Sequence, residues 1–513
     1  MKKLTEHSTY KEVTREFRWG MLWDLFDGNK KNLNIAHECL DRHVDKGTAI
    51  RLKFADRRTE KYTFKELSEW TSSFANFLES YGVQVGDRVC VMLEPSLEFY
   101  VCMFGAIKRG AIAVPLFTLF GPEALAQRIN DCKPKMLVLY PEKASLAGGF
   151  PGLKVFTAGP AFLEEVAKKP SSYEPRTAPD DLAIFQYTSG TTREFPDAIK
   201  HSHRAVVTVT LAALFGLGLH KDDRYFCPSS PAWGHGLWHG TISPWSLGIS
   251  AGAYSGKFNE QRILEALEEL EITNLAAAST VYRMLRNSGL MDEFKYTIEK
   301  LSYTGEPIDS ATYDFIEQKL GVPLCSMYGT TEIGVILASY PGFEDFAVKP
   351  GALGKPVPGW EVAIIDDKGN VVPPGTVGEI AVKRRGEWFR AKDAGLMDKD
   401  GYFWHKGRSD DVIISAGWTI SALEVEDALL KHPDVQEAAV IGVPDELRGH
   451  IVKAFVVGRR KGNDFEEELK GFIKKTLSAH EYPRTIQFVD ELPKTPAGKV
   501  NRETLRTSHT GRK

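Results

Sequence analysis

Val89-Cys90-Val91-Met92-Leu93, Ala111-Ile112-Ala113-Val114-Pro115-Leu116 and Met136-Leu137-Val138-Leu139 are three short, continuous apolar runs. Between them lie segments of helical periodicity, Ser96 to Lys108 and Glu123 to Asn130. A strand that is apolar on both faces has both faces covered, so this alternation predicts parallel β-α-β units. The pattern returns around Tyr225-Phe226-Cys227, a helix from Glu260 to Leu270 and a strand from Ile272 to Ala277. Two such regions predict an α/β fold with two doubly wound sheets side by side.

After about residue 350 the texture changes. Glu361-Val362-Ala363-Ile364-Ile365, the turn Asp367-Lys368-Gly369-Asn370 and Gly378-Glu379-Ile380-Ala381-Val382 read as antiparallel strands of a small β-barrel-like subdomain. The last hundred or so residues form their own α+β pattern. It has helices at Ala422 to Lys431 and Glu466 to Leu477, and strands at Glu437 to Ile441 and Val452 to Val457. That is enough chain for an independent small domain. The reading is a large N-terminal domain, 1–409, and a mobile C-terminal domain, 410–513.

Composition narrows the class. A formal net charge of −3 over 513 residues gives no basic surface for nucleic acid. No run has the roughly 18 apolar residues that a spanning helix needs, and the N-terminus lacks the apolar core of a secretory signal. Cys39, Cys90, Cys102, Cys132, Cys227 and Cys325 have no C-x-x-C spacing, so they read as buried, reduced thiols of a cytoplasmic protein.

The chemistry sits in five stretches. Thr188-Ser189-Gly190-Thr191-Thr192 follows the apolar strand Leu182 to Phe185, and its hydroxyl and N–H groups suit a triphosphate. It is not a Walker A loop. Ser302-Tyr303-Thr304-Gly305-Glu306-Pro307 reads as a tight turn at a strand end. Tyr328-Gly329-Thr330-Thr331-Glu332 offers an aromatic face, hydroxyls and a carboxylate for base, phosphate and Mg2+. Gly401 to Asp411 marks the boundary, and Pro493 to Arg502 presents Lys499 from a glycine-containing loop.

Together and in this order, these stretches resemble the adenylate-forming superfamily. The start at Asn34-Ile35-Ala36-His37-Glu38-Cys39 is similar to its acetyl-, medium-chain- and benzoate-CoA ligase branch. The resemblance implies an AMP-forming acyl-CoA synthetase that uses ATP, Mg2+, a small carboxylic acid and coenzyme A. Thr188, Ser189, Gly190, Thr191 and Thr192 then form the phosphate loop, and Gly305, Glu306 and Pro307 the adenine-side turn. Tyr328, Gly329, Thr330 and Thr331 stack on adenine and hold the α-phosphate, and Glu332 is the metal ligand. Asp393 and Arg408 contact ribose and phosphate, although the usual Thr-Gly before the aspartate is here Ala391-Lys392. Asp410 is the hinge, Ala416 and Gly417 line the coenzyme A entry, and Lys499 offsets charge during adenylation. By the same resemblance Lys499 is a site of inactivating acetylation, and the branch implies a homodimer.

Trp233, His235, Thr304 and Gly329 are the acyl-pocket candidates. Acetate-specific relatives carry tryptophan at the position of Gly329, so glycine implies room for a short- to medium-chain or cyclic acid, unless Trp233, Trp238 or Trp245 refills it. Two departures fall on the pyrophosphate side: Asp197 stands in the usual lysine place, and Thr419 where close relatives often carry arginine. Asp197→Lys is therefore expected to lower the KM for ATP. An enzyme loading a carrier-protein thiol, or a nucleotide-binding relative impaired at this loop, would share most of these motifs. Intact Lys499, Glu332 and Arg408 and the early-chain likeness favour the synthetase.

Overall fold

In a computed structural model the described residues are 2–187, 198–330, 333–408, 413–415, 418–445, 449–477, 482–495 and 498–510. The expected strands pair in parallel. The first region builds a six-stranded sheet in the order Lys154–Thr157, Met136–Leu139, Arg88–Met92, Ile112–Pro115, Leu182–Tyr187, Ala198–Ser202, antiparallel only at its last pair. Its Arg88–Met92 and Met136–Leu139 strands are almost wholly buried, as continuous apolar runs require.

The helix Leu97–Arg109 illustrates how local signals set an element. Ser96 accepts a hydrogen bond from the Phe99 N–H at one end, and Gly110 (φ 80°) closes the other in the left-handed conformation. Nearly every side chain of the helix is buried, including Lys108. Its ammonium is tied to Asp41 at 2.6 Å and to the Ser72 hydroxyl at 3.0 Å, so the buried charge is paired.

The second region builds a nine-stranded sheet with a parallel centre, in which Leu324–Thr330, Lys300–Thr304, Asn274–Ala278, Tyr225–Cys227, Ala251–Ser255 and Thr48–Phe54 are successive neighbours. The N-terminal strand Thr48–Phe54 joins it across nearly two hundred residues of chain, which periodicity alone does not reveal. Val362–Ile365, Gly378–Arg384, Glu387–Met397 and Phe403–Arg408 form a four-stranded antiparallel sheet. The C-terminal domain is a five-stranded sheet around the antiparallel pair Val435–Asp445 and Gly449–Gly458, with helices Ala422–Leu430 and Asn463–Thr476. All six cysteines are buried and free. Among the described residues no helix is long and apolar enough to cross a membrane.

Candidate active site

The candidate residues gather where parallel strands end, the place at which open α/β sheets hold ligands. Lys300–Thr304 runs into Gly305, whose φ of +101° turns the chain sharply. A side chain on Gly305 would stand 3.2 Å from the Trp233 ring and 3.5 Å from Cε of Lys499. The Lys499 ammonium lies 5.9 Å from the Trp233 ring centre, within reach of a cation–π contact. Three residues from distant parts of the chain thus meet at one point. Lys499 is presented by a tight turn in which the Thr495 N–H donates to the Lys499 carbonyl at 2.7 Å and Gly498 takes φ +82°.

Glu306 does not face this point alone. Its carboxylate accepts from the Thr280 hydroxyl at 3.2 Å and its carbonyl from the Ser279 hydroxyl at 2.6 Å, which fixes the turn against the helix Ser279–Ser288. Two residues past Pro307, Asp309 caps the helix Ser310–Leu320. Burial raises its pKa, but Arg283 and Arg286 at 3.1 Å outweigh that and bring it below the usual carboxylate range.

Elsewhere in the candidate set, the Tyr328 hydroxyl donates to Asp393 at 2.6 Å, and Asp393 lies 3.6 Å from Nε2 of His405. The Gly407 N–H donates to Nδ1 of His405 at 3.1 Å, so Nε2 carries the proton and faces the carboxylate. The sequence reading assigned no role to His405, although it lies in the quoted boundary stretch. Only the register Gly395↔His405 places it beside Asp393. Asp393 pairs with Arg408 in the same ladder. The departure Ala391-Lys392 has a physical consequence: Lys392 adopts φ +63°, a conformation suited to the glycine usual there, and its N–H is held by Glu379 at 2.9 Å.

Gly329 is explained differently from the expectation. A side chain there would lie 2.0 Å from the carbonyl oxygen of Gly334, so glycine is required by the close pairing of Leu324–Thr330 with Gly334–Ala338. Its missing side chain points at main chain and opens no acyl space. The neighbouring Thr330 hydroxyl is buried without a partner among the described residues.

The remaining acyl candidates cluster around the π-helical turn His235–Ile242. Nδ1 of the buried His235 lies 2.9 Å from the Ser229 hydroxyl, and its ring is 5.3 Å from Trp233. Burial, with the charge of His239 adding to it, holds the His235 imidazole neutral. Thr304 is half-buried at its strand end. Trp245 is fully buried against Tyr100 and Phe104, and its N–H donates to the Ala49 carbonyl, so it belongs to the core. The indole N–H of Trp238 donates to the Gln186 side-chain carbonyl at 3.1 Å.

Thr188, Ser189, Gly190, Thr191, Thr192 and Asp197 lie outside the described residues, as do Thr331, Glu332, Asp410, Ala416 and Gly417, together with the side chains of Arg408 and Thr419. Lys200, just past the phosphate-loop stretch, lies 5.4 Å from the Phe185 ring.

This geometry is that of an adenylate-forming enzyme, and comparison agrees. The family of AMP-binding enzymes matches residues 39–387, and its C-terminal domain matches residues 424–499. The acetyl-coenzyme A synthetase of Bacillus subtilis is 34% identical, over 97% of this chain and 94% of its own. A mitochondrial acyl-coenzyme A synthetase of Rattus norvegicus, ACSM3, is 33% identical over 87% and 84%. Among solved structures, Brucella canis acyl-CoA synthetase superposes with TM-score 0.77 and 32% identity, covering 98% and 99% of the two chains. The anthranilate CoA ligase AuaEII in complex with anthranoyl-AMP gives 0.86 and 28%, covering 96% and 99%. The chain belongs to the AMP-binding enzyme family. Its activity is that of an AMP-forming acyl-CoA synthetase, which makes acyl-AMP and then acyl-CoA.

Proposed function

We propose that the substrate is a short- to medium-chain or cyclic carboxylic acid, activated with Lys499 at the reacting carboxylate. The meeting of Lys499, Trp233 and Gly305 at one point carries the placement of the carboxylate, and the range of acids is supported by the likeness to acetyl-coenzyme A synthetase and to the anthranilate CoA ligase. A carboxylate oxygen attacks the α-phosphorus of ATP, and the bond from that phosphorus to pyrophosphate breaks. Anion then meets anion, and the Lys499 ammonium offsets the growing charge. Tyr328, Asp393 and His405 hold the nucleoside end, which fixes the line of attack. The unpartnered Thr330 hydroxyl suits a phosphate oxygen. Mg2+ accompanies the triphosphate, with Glu332 as the protein ligand; this rests on the motif and on its nearness in sequence to Thr330.

In the second half-reaction the thiol sulfur of coenzyme A attacks the acyl carbon, the bond to AMP breaks, and the thiol proton passes to solvent. We place the hinge at Asp410, between domains 1–409 and 410–513, and the thiol entry at Ala416 and Gly417. The docked arrangement is held by hydrogen bonds that rotation must break: the Ser310 N–H donates to Asp427 at 2.7 Å, and Lys406 pairs with Glu424 at 2.7 Å. Acetylation of Lys499 would remove the adenylation charge and serve as an off-switch. A homodimer and a cytoplasmic location complete the proposal, the latter supported by six buried free thiols.

The test is pyrophosphate release across acids from acetate to benzoate, with and without coenzyme A. Release without coenzyme A and thioester with it support the reading. Strong selectivity for acetate overturns the substrate range, and release with no acid overturns the activity of this site.

A further inference from the structure

Gln186 is the penultimate residue of Leu182–Tyr187, immediately before the phosphate loop, and is 1% exposed. Its carbonyl oxygen accepts from the Trp238 indole N–H at 3.1 Å. Indole only donates, so this bond fixes the amide orientation and leaves Nε2 as the group with donors to place. Nε2 is buried and has no partner among the described residues. Nε2 of His235 and Nδ1 of His239 are buried and likewise without a partner among the described residues, and the two rings lie 5.8 Å apart. Buried polar groups in a folded protein are almost always paired, so three open valences beside one short segment need an explanation.

The segment that holds the histidines also carries Trp233, which packs near Lys499. Gly234 lies between Trp233 and His235, and a side chain starting there would meet the Gln186 amide at 3.4 Å (Oε1) and 3.8 Å (Nε2), ordinary contact distances. The glycine thus leaves a carbon-sized gap in front of the amide. Trp233, its neighbour, touches the position of Lys499 and Gly305. An acid whose carboxylate is at Lys499 extends its tail along Trp233 towards Gly234. A π-helical turn, an arrangement found mostly at functional sites, supplies both histidines.

We propose that the acid carries a neutral oxygen function in its acyl chain, a hydroxyl or carbonyl, that accepts a hydrogen bond from Gln186 and is flanked by His235 and His239. This deepens the synthetase reading and rests on it. The partner must bring an acceptor because the Gln186 amide nitrogen only donates. Burial holds the His239 imidazole at about 4, so at neutral pH both imidazoles are uncharged, which suits a neutral oxygen better than a second carboxylate.

The experiment compares matched acids by pyrophosphate release: straight-chain acids from butanoate to octanoate against their hydroxy and oxo derivatives, and benzoate against the hydroxybenzoates. At least one oxygenated acid is expected to exceed its plain counterpart in kcat/KM by about 10-fold or more, since a built hydrogen-bonding site rejects the analogue that leaves it unpaired. Gln186→Leu should bring that ratio towards one. Gly234→Val, which keeps Gln186 and fills the gap, should do the same and covers the case in which Gln186→Leu does not fold. Plain acids equal to or better than every oxygenated partner would overturn the proposal and leave water as the occupant of the cluster. Equal loss on both members of a pair in the variants would also overturn it, as a structural effect. Release with no acid at all would sink the synthetase reading itself and this inference with it.

Discussion

The nucleoside end and the acyl end of the site are built on opposite principles. At the proposed nucleoside end, the Tyr328 hydroxyl donates to Asp393, His405 lies 3.6 Å from the same carboxylate and accepts from the Gly407 N–H, and Asp309 is neutralised by two arginines. At the proposed acyl end, Gln186, His235 and His239 keep buried polar atoms without partners among the described residues. On the proposed assignment, the nucleoside of ATP is served by groups already held in place, and the acid is met by groups whose pairing it completes. Preorganisation thus supports rate at one end, and unpaired buried groups support selectivity at the other.

Several variants sharpen or break this contrast. Lys499→Ala should reduce pyrophosphate release by a factor of about 100 or more, the range for removing one charge-stabilising group. Conversion of preformed acyl-AMP to acyl-CoA should fall far less; an equal fall in both assays would place Lys499 outside the adenylation step alone. Asp393→Ala should raise the KM for ATP by about 10- to 100-fold, the worth of hydrogen bonds to a charged group. Tyr328→Phe, which removes one of the bonds to Asp393, should cost less in the same assay.

Acidification tests the buried histidines that the catalytic contrast does not use. Burial holds His43 and His203 at about 4, as it does His239, and His203 accepts the Ile35 N–H at 3.1 Å, which only a neutral ring can do. The unfolded chain binds protons on these groups near 6.5, above their folded values. Stability should therefore be fully present above about pH 6.5 and fall as pH drops towards 4. Thermal unfolding against pH checks this, and His203→Gln should flatten the slope; a flat profile for the native chain would contradict it. The smallest effect is at Lys392, where relief of the positive φ by Lys392→Gly should add about 1 kcal/mol in denaturant unfolding.

Tyr328, Asp393 and Lys499 stand out in the sequence because they lie in contiguous motifs whose order is itself informative, and the structure brings Tyr328 to Asp393 and Lys499 to Trp233. His405 does not stand out, since its relation to Asp393 depends on strand register. Gly329 was read as pocket space because glycine was judged by the side chain it lacks. In the structure the decisive neighbour is the Gly334 carbonyl, which no local pattern displays. Gln186 carried no signal at all: a lone glutamine in an apolar strand becomes informative only when its carbonyl is seen to be used and its amide is not.

The sequence by itself determined the α/β class, the two strand-rich regions, the small C-terminal domain and the adenylating chemistry. Those follow from periodicity and from chemical groups adjacent in the chain, both of which are local properties. The tertiary structure alone decided that Lys499 reaches Trp233 and Gly305, that Thr48–Phe54 completes the larger sheet, and which buried polar atoms stay unpaired. Such facts depend on long-range packing and register, where residues hundreds of positions apart come within a few ångströms.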